Sequence, residues 1–555
     1  MKELAEHWRF RPRWVETVFL LLVCSALAAA AAGAFPTLDD AYLNLLLREH
    51  GPQGLFVGHQ DRPVLAILLR DAASTFGSQF WTFAFLANVV LWTTLGIQTC
   101  ILWRMMMPAW SQYAIVAGLL AVAPIVVRIQ LVTATVTLFG VLSVVQVYGG
   151  LLTLVGALAR NSRGGVALGL LLCALGVLLT EYAVAASCCV AVLLVFAFTE
   201  VYRGERRLFL RCALAILAIA VLSYVFFLVI SDLGDRPEVD PRQRLDRHAI
   251  EGFPFSLLTS LWQVLVGSYG TSLGRIVMER DSVSSVAAVA FGLAIVAAVS
   301  WILRRKGAAG LPDPRRIRML PLFAAVVAGI VPVALMRPYS PIDFATRFYL
   351  PVLPTAVVLT LGALLWCVKP RFRLVSVLSL AFLAGTALFS DSFDDWRHQR
   401  RMDAAGRVIR AALAPEGLTA VVVSSEKLCE APDWCTGQVT RAWSVDDEKR
   451  VWVFDPLEGR RHFGDRHGAP STQPLDVDVR TVRRVGVPSR VLWLEPDGHG
   501  FRVEPYYGKG VETTPGTGFE PTPGTGIEPT PGMGIEPTPG KGIEPAGNGI
   551  EPSGR

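Results

Sequence analysis

Charge is what this sequence has least of: Asp, Glu, Lys and Arg make up 18% of its 555 residues, against 52% hydrophobic ones. Soluble globular domains carry about 25% charged residues, and the mean hydropathy here is positive. A water-soluble domain is thereby excluded for most of the chain, which reads as an integral membrane protein. A metal-ligand set is missing as well. His462 and His467 in "RRHFGDRHG" have no further ligands at fitting spacing, and His59 stands alone in a loop. Seven of the nine cysteines (Cys24, Cys100, Cys173, Cys188, Cys189, Cys212 and Cys367) lie in or beside apolar runs, where cysteine acts as a small hydrophobe.

What is present is a series of apolar runs. A transmembrane helix needs roughly 20 predominantly apolar residues, and eleven runs approach that length: 14–35, 80–103, 111–127, 131–158, 165–181, 183–200, 208–230, 284–303, 319–336, 348–368 and 373–390. The first follows Lys2, Arg9, Arg11 and Arg13 and competes with a signal peptide. Its length, its loosely cleavage-like end "AAGAFPTLDD" and the ten runs after it favour a retained helix.

The short loops set the orientation. "RNSR" (160–163), "RGERR" (203–207), "RRKGAAGLPDPRRIR" (304–318) and "KPRFR" (369–373) are basic and fall on one side with the amino terminus, which the positive-inside rule makes the cytoplasm. Loops 36–79, 231–283 and 337–347 carry mixed charge and are expected outside, as is the carboxyl terminus. Topology therefore accounts for much of the formal charge of +6, and no nucleic-acid partner is called for. The expected fold is an all-α polytopic membrane bundle of about eleven helices over residues 1–390, in a bacterial inner membrane, amino terminus in and carboxyl terminus out.

Residues 391–510 change in character. A helical stretch, "DDWRHQRRMDAAGRVIRAAL", precedes alternating strand-like segments "GLTAVVVSS", "KRVWVFDP" and "SRVLWLEPDGHGFRVEP". They predict a small exported α+β domain. Cys429 and Cys435 in "CEAPDWC" fit a structural disulfide in an oxidising compartment. From 511 to 555 an eight-residue motif recurs, placing Glu520, Glu528, Glu536 and Glu544. Proline and glycine dominate, no apolar face forms, and the glycine period of collagen is absent, so this tail is expected to be a disordered spacer.

Four polar clusters fall on the expected outer face. Asp39 and Asp40 in "FPTLDDAY" follow the first run. "GHQDRP" sets Arg62 beside Pro63, in a loop that reads as a helix, a Gly-Pro break and a second, amphipathic helix on the membrane surface. Glu181 in "LLTEYA" interrupts apolar sequence at the end of the fifth run, and "MRPYSPIDFATRFYLP" carries Arg337, Asp343 and Arg347. Each has a plainer reading: helix caps for the aspartates, snorkelling or interfacial anchoring for Arg62 and Arg347. Glu181 has the weakest one, because a carboxylate beside lipid needs a partner or a cavity. Two carboxylates, a glutamate and several arginines converging on one face look like a site.

In order and topology, Asp39-Asp40, Arg62-Pro63, Glu181 and "TRFYLP" (346–351) resemble the integral-membrane glycosyltransferases of the C-type fold, nearest the protein O-mannosyltransferase and bacterial multi-span branches. The likeness covers roughly residues 10–390. The sequence departs from it in having Phe348 between Arg347 and Tyr349, and in lacking a segment assignable to a known acceptor-binding module. The resemblance implies sugar transfer from a polyprenyl-phosphate donor, with Asp39 or Asp40 as base, Arg62 and Arg347 on the donor phosphate, and Glu181 and Tyr349 orienting substrate. It also implies a divalent metal near the acidic pair in some members. One physical consideration agrees with it independently. The cytoplasmic loops are too short for a nucleotide-sugar domain, so a donor used on the outer face must arrive through the membrane on a lipid carrier. The acceptor would be the hydroxyl of a surface glycan, a lipid or a protein. Competing expectations are a flippase for lipid-linked glycans, with polar residues spread through membrane depth, and a non-catalytic assembly protein.

Overall fold

The computed structural model describes residues 14–31, 47, 51–58, 62–123, 134–180, 182–198, 206–233, 247–267, 282–305, 319–336, 346–390, 404, 408, 420–424, 451–454, 490–497 and 500–505. The chain divides into two compact units, Met1–Tyr506 and Tyr507–Arg555, and every described residue belongs to the first. The tail repeats and the Cys429–Cys435 pairing lie outside the described residues, as do Asp39, Asp40 and Glu181. The seven other cysteines are free thiols.

The helices are α1 (Trp14–Ala31), α2 (Pro52–Gly58), α3 (Pro63–Phe76), α4 (Phe80–Met106), α5 (Ala114–Val122), α6 (Ala134–Ala159), α7 (Arg163–Leu179), α8 (Tyr182–Val192), α9 (Arg206–Leu233), α10 (Arg247–Trp262), α11 (Ser282–Arg305), α12 (Met319–Met336), α13 (Leu353–Cys367) and α14 (373–390). Among the described residues six stretches are long and apolar enough to cross a membrane: Pro63–Met106, Gly140–Leu158, Arg206–Phe226, Ser285–Arg304, Tyr349–Cys367 and Pro370–Ser390. Shorter apolar helices of 10–17 residues fall in the five other expected runs: Trp14–Ala26, Pro108–Val122, Arg163–Leu179, Ala183–Phe196 and Met319–Leu335. Many large apolar side chains stay exposed, Leu22, Leu86, Leu222, Val286 and Leu320 among them. On so apolar a set of helices that surface suits acyl chains rather than water.

Two expected boundaries are corrected. The helix after Arg62 does not end before the second run. It continues from α3 through a 3-10 turn, Gly77–Gln79, into α4, so that 63–106 is one helical stretch. Gly77 takes φ 51°, a left-handed value open to glycine, and the chain re-enters helix at once. Inside α3, Leu65, Leu69 and Ala73 pack with Leu55 of α2 and with Phe80, while Arg70 and Asp71 face outward as an exposed ion pair at 2.8 Å, worth little. The second correction concerns loop 231–283, which is not irregular: it contains α10, continued by a π-turn at Gln263–Gly267.

α6 and α7 form a helical hairpin whose backbones touch. Ser162 caps α7, its Oγ accepting from Gly165 N at 3.2 Å, and Asn161 takes φ 52° to make the turn. A β-carbon on Gly150 would lie 2.7 Å from the Gly169 carbonyl oxygen, and one on Gly169 would lie 2.6 Å from Leu154 Cγ. Small residues permit this approach, and between membrane helices van der Waals packing is the main attraction. Gly169→Val is accordingly expected to destabilise the purified protein by about 1–3 kcal/mol through overpacking. Gly164→Ala, with nothing within 4 Å of its added β-carbon, should leave the thermal midpoint unchanged. Equal midpoints for the two variants would refute the close packing.

After the bundle, Ala404 and Val408 are helical, one turn apart within the expected helical stretch. A mixed sheet then follows, of order β2-β1-β3-β4, with β1 (Ala420–Ser424), β2 (Val451–Phe454), β3 (Arg490–Asp497) and β4 (Gly500–Pro505). β1 runs parallel to both β2 and β3, and β4 is antiparallel to β3. Parallel neighbours require crossover connections of a dozen or more residues. The intervals 425–450 and 455–489 have that length.

Candidate functional site

α6 organises one end of the bundle. Near its start the Ser143 hydroxyl donates to the Gly140 carbonyl at 2.9 Å, and the Thr180 hydroxyl donates to Ser143 Oγ at 3.0 Å. Thr180 is the extended residue (φ −151°, ψ 147°) that ends α7, immediately before Glu181. Five residues further along α6, the Tyr148 hydroxyl lies 2.8 Å from Thr355 Oγ1 and 3.2 Å from the Pro351 carbonyl oxygen. The Cys189 thiol of α8 donates to Thr355 Oγ1 at 3.2 Å.

Each hydroxyl has a single proton. If Tyr148 gives its proton to Pro351, Thr355 must give its own to Tyr148 and Cys189 must give its own to Thr355. A one-directional relay, Cys189 to Thr355 to Tyr148 to the Pro351 carbonyl, satisfies all three buried groups. It ties α6, α8 and α13 to the turn Thr346–Val352 that carries "TRFYLP". Five residues of helix rise about 7.5 Å, so the segments adjoining Glu181 and Pro351 are fastened to α6 at depths about 7.5 Å apart. Removing the hydroxyl in Tyr148→Phe orphans the Thr355 hydroxyl. It is expected to cost about 1–3 kcal/mol, read as a lower thermal midpoint, whereas an unchanged midpoint would show that the relay contributes nothing.

Of the residues singled out in the sequence, Tyr349 is buried and donates its hydroxyl to Ser260 Oγ of α10 at 3.1 Å. Arg347 lies in the 3-10 turn Thr346–Val352 two residues before it. Arg62 is half-buried at the start of α3, its carbonyl accepting from Ala66 N at 2.9 Å, with Pro63 at the first helical position, where a missing N–H does no harm. The structure thus gathers Thr180, Tyr349 and Pro351 around α6 and α10. Asp39, Asp40 and Glu181 lie outside the described residues. Among the described residues no three His, Cys, Asp or Glu side chains are grouped to hold a metal ion.

The opposite end of the bundle holds a pair that sequence reasoning missed. Glu16 of α1 and Arg104 of α4 are buried, 1% and 4% exposed, and joined by an ion pair and hydrogen bond from Arg104 Nη2 to Glu16 Oε2. Nearby, Arg373 donates to the Leu365 carbonyl at the end of α13 at 2.9 Å and stacks over Trp110. A cation on helix-terminal carbonyls is favourable. The available signal was opposite charge at the same-side ends of two consecutive apolar runs. Along the middle of the bundle, Asn88, Trp92, Gln98 and Gln146 bury polar atoms that lack a hydrogen-bond partner, although Gln98 Nε2 reaches the Val145 carbonyl at 2.8 Å.

No protein family matches the chain, and neither does any curated protein. The class the structure itself defines is a helical membrane protein with a polar cluster at one end of its bundle.

Proposed function

We propose that this protein is a glycosyltransferase that takes its sugar from a polyprenyl-phosphate donor and transfers it, with inversion, to a hydroxyl acceptor on the outer face of a bacterial inner membrane. The acceptor hydroxyl loses its proton to Asp39 or Asp40 as its oxygen attacks the anomeric carbon. The bond from that carbon to the phosphate oxygen breaks, and the lipid phosphate leaves as a stable anion that needs no strong general acid. Arg62 and Arg347 hold that phosphate through charge-assisted hydrogen bonds, while Glu181 and Tyr349 orient the reactants. In this reading the chain crosses the membrane eleven times and 391–510 is an exported α+β domain.

One observation supports the reading above others: the immediate neighbours of Glu181 and of Arg347, far apart in sequence, are fastened to one helix at one end of the bundle. A transporter of lipid-linked glycan is the second reading, favoured by the unpartnered polar atoms of Asn88, Gln98 and Gln146 at mid-bundle. Reconstitution separates the two. The purified protein in liposomes, given radiolabelled polyprenyl-phosphate sugars and hydroxyl acceptors, is expected to form labelled acceptor. Movement of labelled lipid between leaflets without transfer from any donor would make it a transporter.

A further inference from the structure

α10 and its π-turn are built inside out for a helix in water. Phe255, Leu258, Trp262 and Val266, spaced by three, four and four, are 72%, 67%, 62% and 48% exposed. Ser256, Ser260 and Gln263, spaced by four and three, are 6%, 7% and 6% exposed. Both spacings follow the helical period, so each set occupies its own stripe. A third set, Phe253, Leu257, Leu261 and Leu265, packs against the core of the bundle, and the helix lies against α12. Water on the outer stripe would reverse the usual order, with serines and a glutamine turned inward and large apolar groups turned out. Acyl chains on that stripe restore it.

We infer that Arg247–Gly267 is a re-entrant membrane segment: its Phe255, Leu258, Trp262 and Val266 stripe contacts lipid, and its Ser256, Ser260 and Gln263 stripe forms a polar inner wall against Tyr349. Its partner is therefore the bilayer interior. At 21 residues the segment is about 31 Å long as helix, long enough to cross. Crossing would put the basic loop 304–318, which holds six Lys and Arg residues, on the same side as the mixed-charge loops, against the positive-inside rule. Returning to the side of entry keeps that loop with the other basic loops. Irregular backbone at membrane depth is tolerated where protein buries it or it lines a cavity. Pro254 and the π-turn at Gln263–Gly267 are such irregularities, and Tyr349 packs on the same face.

The inference does not depend on the proposed reaction, and its test leaves catalysis aside. Phe255→Cys, Leu258→Cys and Trp262→Cys are introduced separately into the full chain and labelled in native membranes with a membrane-impermeant maleimide. Labelling is expected to be at least about tenfold slower than at Asp240→Cys or Arg275→Cys, since an ionised reagent does not enter hydrocarbon. The two flanking cysteines are expected to react from the same side of sealed vesicles. A photo-crosslinking phenylalanine analogue at the three positions is expected to add the mass of a phospholipid. Fast labelling at all three positions would overturn the inference. So would a crosslink to a second copy of the chain, or flanking cysteines that react from opposite sides. Any one of the three cysteine variants that keeps the parent's thermal midpoint suffices for the reading.

Discussion

Asparagine at Asp39 or Asp40 is expected to lower transfer from a polyprenyl-phosphate sugar by about 100- to 10,000-fold at whichever position supplies the base. The substitution keeps size and hydrogen-bonding capacity but removes the lone-pair basicity that accepts the acceptor's proton as the new bond forms. If the other aspartate serves only as a helix cap, asparagine caps as well as aspartate, so that variant should keep near-parental activity. Comparing Asp39→Asn with Asp40→Asn therefore assigns the base as well as testing for one. The measurement is labelled acceptor formed per unit time by protein of matched thermal midpoint. Parental rates in both variants would remove the acidic pair from the reaction altogether.

The largest expected effect on stability belongs to the buried pair at the other end. Arg104→Met leaves the Glu16 carboxylate in a site it does not share with water, and Glu16→Gln leaves a guanidinium there. Each single change is expected to cost about 3–5 kcal/mol, because breaking a buried pair strands a charge. The double change Glu16→Leu with Arg104→Met strands none, and its cost is expected to be smaller than that of either single variant. Thermal unfolding of the four proteins completes the cycle. Additive losses would mean that the two side chains act independently despite their ion pair. Arg104 Nη1 has no hydrogen-bond partner, so the guanidinium is under-satisfied even now and the Glu16 contact is its main compensation.

The sequence and the structure agree where a long periodic signal was available and diverge where only a few residues carried the information. Apolar runs identified all six full-length helices because a stretch of about 20 apolar residues has few other fates. They did not distinguish α10, whose Ser256, Ser260 and Gln263 interrupt the apolar run and lower its mean hydropathy. Those same residues are buried against Tyr349 and the bundle, and only the three-dimensional arrangement separates an inward polar stripe from a solvated one. The break after Arg62 was legible as Pro63. The continuation through Gly77 was not, since glycine reads as a stop unless its φ is known. Within the candidate site the sequence pointed to "LLTEYA" and "TRFYLP" separately. It could not show that Tyr148, an unremarked tyrosine in "VVQVYGG", joins the second to α6 and α8, because a hydrogen bond across 203 residues leaves no local trace.

That separation has a consequence for how the chain is made. Tyr148 and Cys189 are 41 residues apart, whereas Thr355 lies 207 residues beyond Tyr148. At about 5–20 residues per second of synthesis, the α6–α8 portion enters the membrane about 10–40 s before the residues that complete its hydroxyl relay. Throughout that interval the face of α6 meant for the "TRFYLP" turn must be covered by lipid or by the insertion machinery. The last helices to arrive are therefore the ones that close this end of the bundle.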